Sequence, residues 1–284
     1  MPELPEVETI ANGVDRRIGG DSIVSAWFSS YKEPFKTPSD EMAATLPGLR
    51  IEKVRRIGKH IVADLAPSSR GKSSSKSRKT PAAPSPNQQQ LLIHLGMTGR
   101  LLVSAPEVPL PPHTHAVLSL ASGRELRFVD PRRFGRIGLV SGFTGPGSEP
   151  LAISKDDFAV LFHGRKLAIK AALLNQSLLH GVGNIYADES LFRAGIRPTR
   201  RAGRLTRVEL NRLHAAVRTV LQSAIRAGGS SVSDYVDADG VRGFFQIQHK
   251  VYMRTGEPCL VCGTPIRRIV VAGRGTHFCP ACQK

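Results

Sequence analysis

The hydrophobic pattern changes character along the chain. Residues from Pro5 to about Ile18 suit a helix, with proline in the first turn and Glu6 and Glu8 near the positive end of its dipole. Short apolar or alternating runs follow at Ile51 to Val54, Ile61 to Leu65, Leu91 to Leu95, Val117 to Leu120 and Glu125 to Val129, divided by turn residues such as Ser122-Gly123. This half reads as a β-sandwich or barrel. A Gly/Pro-rich linker, Ser141 to Pro150, leads into helical periodicity whose first helix has Ser154 and Asp157 placed as a capping box. The clearest helix starts at Thr206 with Glu209 three residues on. It sets Leu210, Leu213, Val217, Val220 and Leu221 on one face, a core stripe, and stops at Gly228-Gly229. After a glycine-punctuated loop ending near Gly243, strand-like pieces recur at Ile266 to Val271 and Thr276 to Phe278. The fold class is therefore α+β and multidomain, in three parts: residues 1–140, 151–243 and 244–284, with no internal repeat.

One stretch breaks the strand pattern. Pro67 to Gln90 holds seven serines, four prolines, five positive charges and no acid, a composition that predicts a disordered basic insertion. Subtracting its five charges from the net +17 of the 284-residue chain leaves +12, so the folded part is basic as well. A polyanion is the expected partner, nucleic acid ahead of an acidic lipid surface. No run of 18 apolar residues exists and the first residues, Met1-Pro-Glu-Leu-Pro-Glu6, carry neither a basic segment nor an apolar one, so neither membrane insertion nor secretion is expected.

All four cysteines fall at the far end, as Cys259-x-x-Cys262 and Cys279-x-x-Cys282 with sixteen residues between the pairs. That spacing predicts a tetrahedral four-thiolate zinc site; disulfides are the alternative, disfavoured without a secretion signal. Between the pairs, Ala272-Gly-Arg-Gly275 would join two strands and set Arg274 at a hairpin tip. Flanking glycines would leave its guanidinium open for bidentate phosphate contact, against the blander reading of a solvated turn arginine.

The opening Met1-Pro-Glu-Leu-Pro-Glu6, then His94-Leu-Gly-Met97, Asp130-Pro-Arg-Arg-Phe-Gly135, Gly181-Val-Gly-Asn-Ile-Tyr186, the glycine-rich stretch from Gly228 to Gly243 and the cysteine hairpin stand in an order that closely resembles the bacterial formamidopyrimidine-DNA glycosylases. The likeness covers the chain except the insertion at 67–90. It implies an N-terminal catalytic β-sandwich with a flanking helix, a helix-two-turn-helix domain with a lesion-capping loop, and a C-terminal zinc-finger β-hairpin holding one structural Zn2+. It implies a monomeric bacterial enzyme, cytoplasmic and nucleoid-associated, that acts on double-stranded DNA containing oxidised bases. Such an enzyme excises oxidised purines through a Schiff base and cuts the strand by β,δ-elimination.

Residue by residue, the resemblance assigns the nucleophile to Pro2 once Met1 is removed, the general acid to Glu3, and phosphate contact with help in elimination to Lys59 and Arg274. Physical chemistry favours an α-amine as nucleophile. Its pKa near 7.7 to 8.0, against about 10.4 for lysine, leaves a neutral fraction roughly a hundred-fold larger near pH 7. Met97, Arg132 and Phe134 match residues that fill the gap left by an extruded nucleotide. His94, His113, Arg132, Arg165 and Asn184 match DNA contacts, and Asn184 would open a helix whose free N–H groups also bind phosphate. Without the resemblance, Pro2 reads as a helix-start proline, Lys59 as a surface lysine, and Met97 and Phe134 as core residues. Two rivals remain at this point. One is the related endonuclease VIII branch, which prefers oxidised pyrimidines and from which Leu4 departs. The other is a non-catalytic zinc-ribbon DNA-binding protein, against which Glu3 and Lys59 stand.

Overall fold

The structure is a computed structural model describing residues 1–68, 88–230 and 243–284. Most of the predicted basic insertion and nearly all of the predicted lesion-capping loop lie outside the described residues. The chain divides into two compact units. Residues 1–2, 6–68 and 88–144 belong to the first, and residues 3–5, 145–230 and 243–284 to the second.

The first unit is a sandwich of two four-stranded antiparallel sheets. One is ordered β1 (Ile23–Phe28), β6 (Thr114–Leu120), β7 (Glu125–Val129), β5 (Arg100–Ser104); the other β2 (Leu49–Ile57), β3 (His60–Pro67), β4 (Gln89–His94), β8 (Arg136–Ser141). Leu118, Leu126 and Phe128 from one sheet and Ile61, Leu91, Ile93 and Ile137 from the other share one core with the inward faces of α1 (Leu4–Ile18) and α2 (Ser39–Thr45). On α1 that face is Val7, Ile10, Ala11, Val14 and Ile18, the spacing of one helical stripe. Ile51 and Val54 are both buried although three apart on a strand, because a bulge between Ile51 and Lys53 shifts the alternation by one residue.

Strands β1, β5 and β8 and helix α2 extend beyond the runs that the sequence pattern marks. The burial in β1 shows why: as an edge strand it leaves Val24 and Trp27 exposed, so it lacks a clean period of two.

The second unit packs α3 (Lys155–Phe162), α4 (Ile169–Leu174), α5 (Asn184–Ala194) and α6 (Arg207–Arg226) around Phe158, Leu173, Tyr186, Leu213, Val217 and Leu221. Helix α6 carries the expected reciprocal cap between Thr206 and Glu209, and its predicted stripe is buried throughout. Helix α3 departs from expectation. Ser154 accepts from the Asp157 backbone N–H at 3.1 Å, but the Asp157 carboxylate accepts from the Ser154 hydroxyl rather than reaching back to the backbone, being one methylene shorter than glutamate. The chain ends in a hairpin of β9 (Arg267–Val271) and β10 (Arg274–Phe278). Among the described residues no helix is long and apolar enough to cross a membrane.

Candidate active site and metal centre

In the first unit, Lys59 sits with Gly58 in a two-residue turn between β2 and β3, where Ile57 pairs with His60 and Gly58 takes φ +60°. Lys59 is only 8% exposed, contrary to the surface position expected of a lysine in such a turn. Its charge is felt at His94, which ends β4 between His60 of β3 and Arg136 of β8. Burial first, then the positive neighbours His60, Lys59 and Arg136, lower the His94 pKa to about 4. Its Nδ1 accepts from Gly96 N–H at 3.1 Å, so the neutral ring carries its proton on Nε2 as a hydrogen-bond donor.

Met97 and Phe134 are exposed, at 43% and 49%, against the core reading that periodicity alone suggests. Their loops are held together by a residue that sequence reasoning passed over. The fully buried Asp130 carboxylate accepts from the Thr98 hydroxyl at 2.6 Å, the Arg132 N–H at 3.2 Å and the Gly135 N–H at 2.7 Å. A Cβ at Gly96 would stand 2.5 Å from the Phe134 backbone, so only glycine lets the two loops touch. The Arg132 guanidinium lies over the Phe134 ring, 4.8 Å from its centroid. His113, exposed and at φ +66°, accepts the Asp130 N–H on its carbonyl at 3.0 Å. Pro2 is half-buried behind an exposed Met1. The signal for Asp130 was present in sequence as an acid before Pro131, a common turn initiator whose carboxylate caps nearby N–H groups.

In the second unit, Glu3 is buried and its carboxylate accepts from Ile185 N–H at 3.1 Å and Tyr186 N–H at 3.5 Å, the second and third positions of α5. It thereby caps a helix whose own N-cap, Gly183, has no side chain. This corrects the expectation of an open helix N-terminus: these two donors are taken by Glu3, not left for a phosphate. Leu4 N–H donates to Gly181 O at 3.0 Å, and a Cβ on Gly183 would fall 2.2 Å from the Glu3 carboxyl carbon. Asn184 is the first residue of α5, as expected, and its Nδ2 donates to Gly275 O at 3.0 Å.

The hairpin differs slightly from prediction. Its turn is Ala272-Gly273 alone, both at positive φ as a type I′ turn requires, so Arg274 opens β10 opposite Val271 rather than occupying the tip. Its side chain is exposed. The strand is fastened to the helices by a charged network absent from the sequence reading. Lys170 of α4, fully buried, pairs with Asp188 of α5 at 2.7 Å and donates to Gly275 O and Thr276 Oγ1. Asp188 also accepts the His277 N–H at 2.8 Å. Arg165 is braced by Nε on Leu161 O.

The four cysteine sulfurs lie within 4.8 Å of one another, with Cys262 to Cys279 at 3.5 Å and Cys259 to Cys282 at 3.9 Å. Tetrahedral Zn–S bonds of about 2.3 Å place sulfurs about 3.8 Å apart, whereas a disulfide needs about 2.05 Å, so the donor set fits one structural zinc ion and the disulfide alternative falls.

Three stretches of the chain match known domain families. Residues 1–137 match the formamidopyrimidine-DNA glycosylase N-terminal domain, residues 146–236 its H2TH domain, and residues 256–284 a zinc finger found in FPG and IleRS. The chain belongs to the formamidopyrimidine-DNA glycosylase family. It is 46% identical to the formamidopyrimidine-DNA glycosylase of Solibacter usitatus over the whole of both chains, and 40% identical to that of Symbiobacterium thermophilum over all of this chain and 89% of the relative. Among solved structures, a Lactococcus lactis FPG mutant in complex with a Fapy-dG containing DNA matches over the full length of both chains, with TM-score 0.85 and 32% identity. The same organism's FPG with an abasic site containing DNA matches at TM-score 0.83 and 32% identity over 99% of each chain. Membership in this family removes the zinc-ribbon binder from consideration as a whole-chain reading.

Proposed function

We propose that this chain is a base-excision-repair glycosylase that removes oxidised purines, formamidopyrimidines and 8-oxoguanine, from duplex DNA and then cuts the strand as an abasic-site lyase. The observation that carries the reading is the placement of Glu3, next in sequence to the candidate nucleophile. Its buried carboxylate is held on two backbone N–H groups, which pre-positions it for proton transfer.

After Met1 removal, the neutral Pro2 amine attacks C1′ of the sugar, the damaged base departs, and the opened sugar is left as an iminium. To act as the general acid, Glu3 must hold a proton that it passes to the ring oxygen. The Pro2 ammonium, which has to lose a proton to become nucleophilic, is the chemically matched source. β-Elimination then expels the 3′ phosphate and δ-elimination the 5′ phosphate, with Lys59 and Arg274 neutralising phosphate charge. Met97, Arg132 and Phe134, exposed on loops tied by Asp130, fill the space of the extruded nucleotide. His94, through Nε2–H, together with His113, Arg165 and Asn184 contact the backbone.

Incubation with a duplex holding 8-oxoguanine opposite cytosine, followed by borohydride, is expected to trap a covalent adduct and to release a nicked product without it. No adduct would sink the catalytic claim, and an adduct that survives an N-terminal extension would take the role from Pro2. Since one solved Lactococcus lactis FPG complex holds an oxidised pyrimidine containing DNA, the assay includes such a duplex. Preference for it over 8-oxoguanine would overturn the purine assignment.

A further inference from the structure

In the second unit two stretches without a single acidic residue run side by side, 163–169 and 197–207. They are zipped by backbone bonds: Ile169 N–H to Arg200 O at 2.7 Å, Ala202 N–H to Leu167 O at 2.9 Å and Gly203 N–H to Arg165 O at 2.9 Å, with Ala168 and Arg201 in an antiparallel bridge. A Cβ at Gly203 would stand 2.7 Å from Arg165 N, so the close approach requires glycine there. The result is a short rigid ribbon rather than a pair of independent loops.

Five arginines, at 197, 200, 201, 204 and 207, lie on the second stretch, and three of them are engaged. Arg200 forks onto Glu209, Arg207 pairs with Asp156, and Arg197 lies over the Phe278 ring. Arg201 and Arg204, with Lys166 on the neighbouring stretch, are exposed. We infer that Lys166, Arg201 and Arg204 form a second phosphate-binding strip, continuing from Arg165, that grips the duplex backbone beyond the lesion-centred contacts. The inference rests on the DNA-repair reading. Exposed cations with no acid on either stretch favour a phosphate backbone as partner, and a backbone-paired ribbon presents them without ordering a loop on binding.

The test measures affinity against salt for the wild-type protein and for R201A/R204A, on duplexes of about 12 and about 30 base pairs with a central lesion analogue. Each phosphate contact contributes about 0.9 to the slope of log affinity against log salt, so the variant is expected to lose about two units of slope on the long duplex and none on the short one. Excision at saturating DNA is expected to be unchanged, since neither residue belongs to the proposed chemistry. Both side chains are exposed, so a wild-type melting temperature serves as the folding control. An unchanged slope on the long duplex overturns the strip, as does an equal loss on both lengths, which would put these arginines within the lesion footprint. The repair reading fails separately, by absence of excision in the wild-type protein, and binding slopes can still be measured in that event.

Discussion

Gly183 offers the sharpest test of how the proposed catalytic carboxylate, Glu3, is positioned. Its backbone, at φ −126° and ψ −161°, is extended and open to any residue, so alanine there meets no backbone strain. The clash is with Glu3 alone. A Cβ would lie 2.2 Å from the carboxyl carbon and 2.4 and 2.6 Å from its oxygens, and reaching an ordinary contact of 3.4 Å requires the carboxylate to withdraw by about 1.2 Å. A free surface glutamate would simply swing away. This one is buried and capping α5, so withdrawal breaks its bonds to Ile185 and Tyr186. Loss of the cap costs about 1 kcal/mol and loss of the charge at the helix N-terminus up to about 1 more. Adding the about 0.5 kcal/mol that alanine costs at an N-cap position, Gly183→Ala is expected to destabilise the protein by about 2 to 3 kcal/mol, a fall of about 4 to 10 °C in melting temperature. Displacing a reacting group by about 1 Å should slow single-turnover excision of 8-oxoguanine about a hundred-fold. In a Glu3→Ala background the clash is gone, and the same substitution should cost only the N-cap increment. Equal destabilisation by Gly183→Ala with and without the Glu3 side chain would refute the reasoning.

Three further outcomes follow from the same geometry. Lys170→Met removes the buried ion-pair partner of Asp188 and should cost about 3 to 5 kcal/mol by denaturant unfolding; Lys170→Met with Asp188→Leu should cost less than the sum of the two single changes, and strict additivity would show that the pair is not coupled. His94 and His249 are both held neutral, with pKa values lowered to about 4 chiefly by burial, while the unfolded chain protonates them near 6.5. Between those values the unfolded state binds more protons, so stability should fall as pH drops from about 6.5 to about 4, by at most about 3 kcal/mol for each histidine. Urea titrations of His94→Leu should show a correspondingly flatter pH profile, and an identical profile would count against the assigned burial effect. Chelation of zinc should abolish DNA binding without melting the β-sandwich, because the small core beside the cysteines is Val251, Ile266, Cys259 and Cys279 with Phe192 and Cys282 packed against it, apart from the sandwich core; a stripped protein that binds DNA as before would contradict this.

The metal centre and several local elements were legible before the fold. The spacing of Cys259, Cys262, Cys279 and Cys282, the reciprocal cap of α6 and the stripe from Leu210 to Leu221 are local patterns governed by ligand geometry and helical period, which one chain segment carries by itself. The ordered motifs around Pro2, Met97, Arg132 and Asn184 likewise placed the chain in its family. Tertiary structure decided the partnerships. That Glu3 caps a helix some 180 residues away, that Asp130 ties the loops carrying Met97 and Phe134, that Lys170 and Asp188 pair in the interior, and that Lys59 is buried in a tight turn are consequences of non-local burial. A buried charge or backbone donor must find a partner wherever the fold brings one, and nothing in the neighbouring sequence names it. Residue identity and spacing thus declared the chemistry available to this protein, while packing determined which groups are held in place to perform it.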